Sequence, residues 1–242
     1  MTGRHPRDPD RNRKPDMNLT TKGLTATTGL CAATAGAIFI GVQINHPPAD
    51  VTHIVTTELL IRETAKAVMA VLALTGFTGM FLHQRHRLGV LGLTGYLLLT
   101  IGYLALFAIE CVVGYVLPIV ARTDPAYVQN VIEEAVGGPA SGQIGHLHEL
   151  FLLSGIGYSL GGLLFGIALF RAAELARWAA ALLAVATTSA LALSVLPDAF
   201  NRPFAVPTGI ALIGLGLSLW RVRHISPATT QVVPAGRSAS VR

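Results

Sequence analysis

The chain has 242 residues, of which 52% are hydrophobic and 13% are charged, and its formal net charge is +5. Soluble domains average about 25% charged residues, so this chain has too little charge to cover an ordinary globular surface, and its apolar content excludes a disordered protein. The composition therefore predicts an all-α, multi-pass membrane protein. Its basic residues lie between apolar segments and form no stripe with aromatics, which argues against a nucleic-acid partner.

The N-terminal region, residues 1–22, is polar and basic, which predicts a disordered cytoplasmic tail; Met17 is an alternative start. Six apolar segments follow, and each is long enough to cross the ~30 Å hydrocarbon core as a helix. They cover residues 23–44, 57–82, 88–119, 147–170, 176–196 and 203–221. These segments are too continuous for the alternating strands of a barrel, so we predict a polytopic transmembrane helix bundle over 23–221. A second disordered cytoplasmic tail is predicted over 222–242.

The basic residues are divided unequally between the two sides of this bundle. If the N-terminus is inside, the cytoplasmic segments hold 14 of the 18 Lys and Arg residues and the external segments hold four. The positive-inside rule then predicts that both termini are cytoplasmic and that loops 45–56 and 120–146 are external. The expected location is the cell membrane, with the lipid bilayer as a partner.

The second predicted helix begins with charged residues at helical spacings. Glu58 and Arg62 are at i and i+4, and Glu63 and Lys66 are at i and i+3, so each pair can form an ion pair along the helix. Two interpretations remain open. The segment is either a charged helix end among the lipid headgroups, or it presents Glu63 inward as a functional carboxylate.

The third predicted helix carries Glu110 within the apolar sequence Phe107 to Val113. An ionisable group at this depth is costly unless it is paired, protonated or hydrated, so Glu110 is expected to face the bundle interior. It serves either as a hydrogen-bonding group between helices or as a functional carboxylate. Cys31 and Cys111 are expected at opposite membrane depths, too far apart for a disulfide, which predicts two free thiols.

The longest connection contains a polar and apolar alternation over residues 125–136 that is typical of a short amphipathic helix at the outer interface. This helix is either a lid over an outward-facing site or a simple surface cover. The next apolar segment begins with His146, His148 and Glu149, which lack the i, i+4 ligand spacing of helical zinc sites, so no metal is predicted. Its glycines at 157, 161, 162 and 166 predict close helix packing.

Asp198 lies in the last predicted hairpin, between Pro197 and the more distant Pro203. The two prolines predict a tight outer turn. Asp198 is either a residue that caps this turn through its own backbone or a carboxylate held at the outer rim of the bundle.

Two resemblances follow from these residues. The layout over 23–221, with its third-helix Glu110 and glycine-rich fourth helix, resembles uncharacterised bacterial six-helix membrane proteins, which imply no activity. The chain also resembles the small integral-membrane terpene cyclases of meroterpenoid and indole-terpenoid pathways in its length and in the positions of Glu63 and Asp198. Those enzymes have seven helices, whereas six are predicted here.

The cyclase resemblance implies an acid-initiated carbocation cyclisation of a lipophilic prenylated substrate, with no cofactor. Glu63 and Asp198 would act as the acid and its partner, because a carboxyl group in apolar surroundings keeps a proton for transfer. Aromatic faces stabilise a passing carbocation. The implied binding residues are Glu110, Phe107, Tyr115, Phe151, Tyr158 and Phe204. The alternative is a non-catalytic transport or accessory membrane protein in which Glu110 relays a proton or a cation. The sequence leaves the oligomeric state open.

Overall fold

The computed structural model describes residues 21–138, 140–189 and 205–222. Every regular element within these ranges is helical, which confirms the all-α class. The elements are α1 (Thr21–Gly41), α2 (Val51–Ile54), α3 (Thr57–Cys111), a π-helix (Val112–Val116), α4 (Leu117–Val120), α5 (Pro125–Ala135), α6 (Leu147–Ala172), α7 (Arg177–Ser189) and α8 (Ala205–Val222). Nearly all of both predicted tails lies outside the described residues.

Four helical segments in the described part of the chain are long and apolar enough to cross a membrane. They are Gly23–Gly41, Thr57–Val120, Leu147–Ala172 and Ala205–Val222. The protein is therefore a multi-pass membrane protein by the length and composition of its helices. Helix α7 has 13 described residues, and the span predicted over 176–196 continues into residues outside the described ranges.

The spans predicted over 57–82 and 88–119 form one helical hairpin with no loop between them. Gly89 breaks α3 with φ 58° and ψ −160°, a backbone conformation that glycine adopts without a Cβ penalty. The residues before it (arm A, 57–88) and after it (arm B, 90–111) are antiparallel. Phe77 of arm A lies 5.4 Å from Tyr103 of arm B between ring centroids, and Phe81 stacks on Tyr96 at 4.7 Å.

The other helices pack on this hairpin through small residues. A Cβ atom added to Gly102 of arm B would lie 2.6 Å from the backbone nitrogen of Tyr158 on α6, and one added to Gly29 of α1 would lie 2.7 Å from the carbonyl oxygen of Gly216 on α8. Both distances are too short for a side chain, so the glycines allow backbone contact. The α6 glycines at 157, 161, 162 and 166 are equally close to arm B or to α7, which confirms the prediction that they serve close packing.

The two ends of the bundle carry opposite charge. The turn end contains the Gly89 turn, the α6–α7 connection and the end of α8. The loop end contains the long connections 42–56 and 121–146. The turn end has the arginines Arg85, Arg87, Arg171, Arg177 and Arg221, with Glu174 as an acid among them. The loop end has the acids Asp50, Glu58, Asp124, Glu133, Glu134 and Glu149, which outnumber its basic Arg62 and Arg122.

Helix α5 lies over the loop end and corresponds to the amphipathic helix predicted over 125–136. Asp124 caps its start by accepting a hydrogen bond from the Tyr127 backbone at 2.9 Å. Its apolar face is buried in a small core, in which Val128 is fully enclosed. On its polar face, Glu134 contacts His148 Nδ1 at 2.8 Å. The start of α6 is thereby tied to α5.

Candidate functional site

Glu63, Lys66 and Glu110 form one cluster, which we call the acid–lysine site. The Lys66 ammonium lies 2.6 Å from Oε2 of Glu63 and 3.0 Å from Oε2 of Glu110. A side-chain contact between the two carboxyl groups completes the cluster. Two acids therefore share one cation.

The hairpin brings these residues together. Glu63 and Lys66 occupy successive turns of arm A, and the fold-back at Gly89 sets Glu110 of arm B against them. Lys66 follows Thr57 by nine residues, a rise of about 14 Å along the helix axis. The site therefore lies inside the apolar segment and nearer to the loop end than to the turn end.

The two acids are enclosed more completely than the lysine. The side chains of Glu63 and Glu110 are 2% and 8% exposed, whereas that of Lys66 is 20% exposed. Glu63 Oε2 has no hydrogen bond of good geometry among the described residues. Its short contact with Lys66 is therefore an ion pair whose angles do not suit a hydrogen bond. The cluster is thus charged, largely dehydrated and incompletely hydrogen-bonded, an arrangement that costs stability unless something offsets the excess charge.

A helix irregularity follows directly after Glu110. Residues Val112–Val116 form a π-helix, and Pro118 comes next, whose nitrogen cannot donate to the carbonyl of Gly114. A Cβ atom added to Gly114 would lie 3.0 Å from Cβ of Glu63, so the irregular turn passes close to the first acid. Single π-turns within helices are frequent at functional sites.

No protein-family model, curated protein or solved structure matches the chain. The function therefore has to be argued from the site itself.

Arg62, the residue before Glu63, joins arm A to the first connection. The Arg62 guanidinium donates to the carbonyls of Val42, Ile44 and Asn45 at 2.9–3.0 Å and also contacts Glu58 at 2.9 Å. It thereby holds the turn that follows α1, where these carbonyls lie beyond the helix.

His46 continues this connection next to the site. Its Nδ1 lies 2.9 Å from the Pro47 carbonyl, and its ring is close enough to Glu63 to act on that carboxylate electrostatically. The first connection therefore carries an imidazole, a group that can bind a proton, within electrostatic range of the acid–lysine site.

The nearby connection 50–56 is held by Asp50. Hydrogen bonds from the Thr52 hydroxyl, and then from His53, hold the pKa of Asp50 well below its ordinary value. Farther round the loop end, the hydroxyl and backbone of Ser141 hold the pKa of Glu133 below its ordinary value in the same way. Both carboxylates are partly exposed and accept hydrogen bonds from the loops around them.

The sequence-predicted site residues separate into three groups. Glu63 and Glu110 meet in the acid–lysine site, and the expectation that Glu110 faces the interior is confirmed because the residue is 6% exposed. Asp198 and Phe204 lie outside the described residues, so the predicted pairing of Glu63 with Asp198 stays a prediction.

The remaining aromatic candidates lie in different places. Phe107 and Tyr115 are 37% and 51% exposed on the outside of the hairpin. Phe151 packs against the small core under α5. Tyr158 is inside the bundle, where its hydroxyl lies 2.7 Å from that of Thr208. These four residues differ in exposure and in their neighbours, and their role as the aromatic lining of a shared site stays a prediction.

Lys66 is the functional residue that sequence reasoning missed. Its i, i+3 spacing from Glu63 was visible, but a lysine at a helix end is usually solvated. The signal that identifies it is the hairpin. If residues 57–82 and 88–119 are antiparallel about a short turn, position 66 falls opposite position 110, and the isolated Glu110 then has a cation.

Proposed function

We propose that this protein handles protons at the acid–lysine site, as a transport or accessory protein with an intramembrane carboxylate pair. The observation that carries the proposal is the sharing of Lys66 between Glu63 and Glu110 inside an apolar segment. With all three groups ionised, the site has one negative charge in excess. An unbalanced charge is very costly where water is scarce, so one bound proton makes the site neutral.

The surroundings support exchange of that proton with the loop end. His46 acts on Glu63 electrostatically, and the loop-end acids form a negative surface that concentrates cations. The π-helix that follows arm B interrupts the regular α-helical hydrogen-bond pattern at the level of the site, as single π-turns at functional sites do. Lys66 can then shift its ion pair between Glu63 and Glu110 as the site releases or takes up its proton.

Proton flux into liposomes tests this function. Purified protein is reconstituted into vesicles that contain a pH-sensitive dye, and a potassium gradient with valinomycin drives proton entry. Wild-type protein is expected to acidify the interior faster than protein-free vesicles. Glu110→Gln and Glu63→Gln are expected to reduce the rate to that of empty vesicles. Glu174→Gln, the same change at an acid of the turn end that is paired with Arg87, should leave it unchanged. Wild-type vesicles that acidify no faster than empty ones would overturn the proposal.

A six-span topology with cytoplasmic termini in the cell membrane belongs to the same proposal. The basic turn end and acidic loop end support it, because the basic end of a bundle faces the cytoplasm. Single cysteines introduced at Asp50 and Arg87, in a background with Cys31 and Cys111 replaced by Ser, are expected to react with an impermeant maleimide from opposite sides. Reaction of both from one side contradicts the topology.

A terpene cyclase is the second candidate, favoured by the finding that Glu63 and Glu110, two of the three acids assigned to it, occupy one site. In that case the proton held by the pair initiates cyclisation of a prenylated substrate that enters from the lipid, and Asp198 completes the acid and base pair. Membranes are incubated with a prenylated aromatic substrate and analysed for cyclic product. Glu63→Gln and Asp198→Asn should each abolish the product, and activity retained in both excludes the cyclase.

A further inference from the structure

Helices α6 and α7 enclose an apolar groove of about 600 Å³ at the turn-end half of the bundle. Its floor is the close crossing of Gly166 on α6 with Ala184 on α7, where a side chain at Gly166 would meet the Ala184 backbone at 2.8 Å. Ile167 and Val185 form the walls and are 37% and 67% exposed. Small residues in the floor and larger ones on the rims make a trough that is open along the side of the bundle.

The groove ends beneath a guanidinium group. Phe170 lines its turn-end limit, and Cζ of Arg177 lies 4.3 Å from the centre of the Phe170 ring. This cation–π contact holds the charge of Arg177 over the end of the apolar trough. Arg171, on the last turn of α6 and next in sequence to Phe170, is exposed.

The nearest acid does not neutralise these two arginines. The carboxylate of Glu174 contacts Arg87 Nε at 2.8 Å and His83 Nε2 at 3.8 Å. Its charge is therefore engaged by the Gly89 hairpin. Trp178, next to Arg177, is 58% exposed and marks the level of the membrane interface, where indole rings are favoured.

We infer that this groove binds one phospholipid with an anionic headgroup. An acyl chain lies in the trough between Ile167 and Val185, and the phosphate lies on Arg177 and Arg171. A guanidinium suits this role because its planar donors match phosphate oxygens in pairs. The inference needs only that the bundle lies in a bilayer, and it is independent of proton handling at the acid–lysine site.

Native mass spectrometry of protein released from nanodiscs tests the headgroup. The nanodiscs contain equal amounts of palmitoyl-oleoyl phosphatidylglycerol and the zwitterionic phosphatidylcholine. Each basic residue near an anionic membrane surface favours the anionic lipid by about fivefold. One retained lipid is expected per protein, with phosphatidylglycerol strongly preferred. Arg177→Gln should lower that preference about fivefold, and Arg85→Gln, the same change at the turn end but away from the groove, should not change it.

A second variant tests the acyl trough. Ala181 lines the groove and is partly exposed, so Ala181→Phe fills it, whereas Val71→Phe adds the same bulk to an exposed position of arm A. Ala181→Phe is expected to lower retention of both lipids, and Val71→Phe should retain the wild-type amount. Equal retention of the two lipids by wild-type protein, or a dimer without bound lipid, overturns the inference. Glu110→Gln changes the acid–lysine site but not the groove, so its lipid preference should equal that of the wild type. Failure of the proton function would therefore leave this inference standing.

Discussion

Two interfaces of arm B show opposite ways of joining helices in an apolar medium. Toward arm A, arm B is held by Glu110 through the acid–lysine site. Toward α6, it is held by Gly102 and Gly157, whose backbones touch with no side chain between them. The hydrophobic effect does little between helices in lipid, so one interface depends on charge and the other on close approach. Tolerance to substitution should therefore differ: volume decides at the glycines, and charge balance decides at the acids.

The largest effect is expected at the glycine interface. Gly157→Leu places a side chain where the nearest arm B atom would be 2.6 Å from its Cβ, so α6 has to separate from arm B. Overpacking usually costs about 1–3 kcal/mol, and more where only backbone can move. We expect no folded protein by size-exclusion chromatography in mild detergent. Gly155→Leu, two residues away with nothing within 4 Å, is the control and should elute as wild type. Normal elution of Gly157→Leu would mean that the two backbones are not in contact.

The acid–lysine site should respond next most strongly. Lys66→Met keeps the apolar stem but leaves Glu63 and Glu110 without their cation, and removal of one partner from a buried ion pair costs about 3–5 kcal/mol. A large fall in the thermal unfolding midpoint in detergent is therefore expected.

The double variant Lys66→Met with Glu110→Gln sharpens this result. It should be more stable than Lys66→Met alone, because it removes one of the two unbalanced carboxylates. If the double variant is the less stable of the two, the acids and the lysine do not act as one group.

A smaller effect is expected from the Arg62 contacts at the end of α1. Arg62→Gln removes donors to the carbonyls of Val42, Ile44 and Asn45, and hydrogen bonds to charged groups contribute about 1.5–3 kcal/mol. Hydrogen exchange should accelerate in residues 38–45, while exchange across the Gly102 and Gly157 contact stays slow. Uniform acceleration in both regions would show that the two interfaces are not independent.

The smallest effect concerns the surface of the loop end. The pKa of Glu133 is lowered from 4.5 by hydrogen bonds from Ser141, so its ionised form stabilises the loop. This contribution is complete above pH 4.5 and is lost as the pH falls through the lower folded-state value. Exchange of the Ser141 amide, corrected for intrinsic rate, should accelerate below about pH 4.5, whereas in Glu133→Gln it should not depend on pH in this range.

The apolar segments were predictable because hydropathy depends on local composition alone, and the helices found over 23–41, 147–172 and 205–222 follow it closely. The turn was misplaced for a physical reason. The polar residues 83–87 suggested a break, but the backbone stays helical through them: Arg85, His86 and Arg87 are exposed at the turn end, whereas Gln84 is buried. The chain reverses two residues later, where Gly89 permits a positive φ.

The candidate site was half predictable. Glu63 and Glu110 stand out singly because a carboxylate in an apolar helix is anomalous wherever it lies. Their union through Lys66 depends on the register of the hairpin, and hydropathy carries no information about register. The predicted association of Glu63 with Asp198 required a contact between distant helices, which one sequence does not encode in any local pattern.

The distribution of charge along the hairpin bears on how the protein enters a membrane. Glu58 with Arg62 and Glu63 with Lys66 are pairs within arm A, so this arm can leave the translocon with its charges already matched. Arm B carries Glu110 with no cation of its own in the span and finds Lys66 by folding back at Gly89. The hairpin is therefore the smallest unit of this chain that can partition into lipid with Glu110 paired to Lys66. We expect its two arms to be inserted together during synthesis.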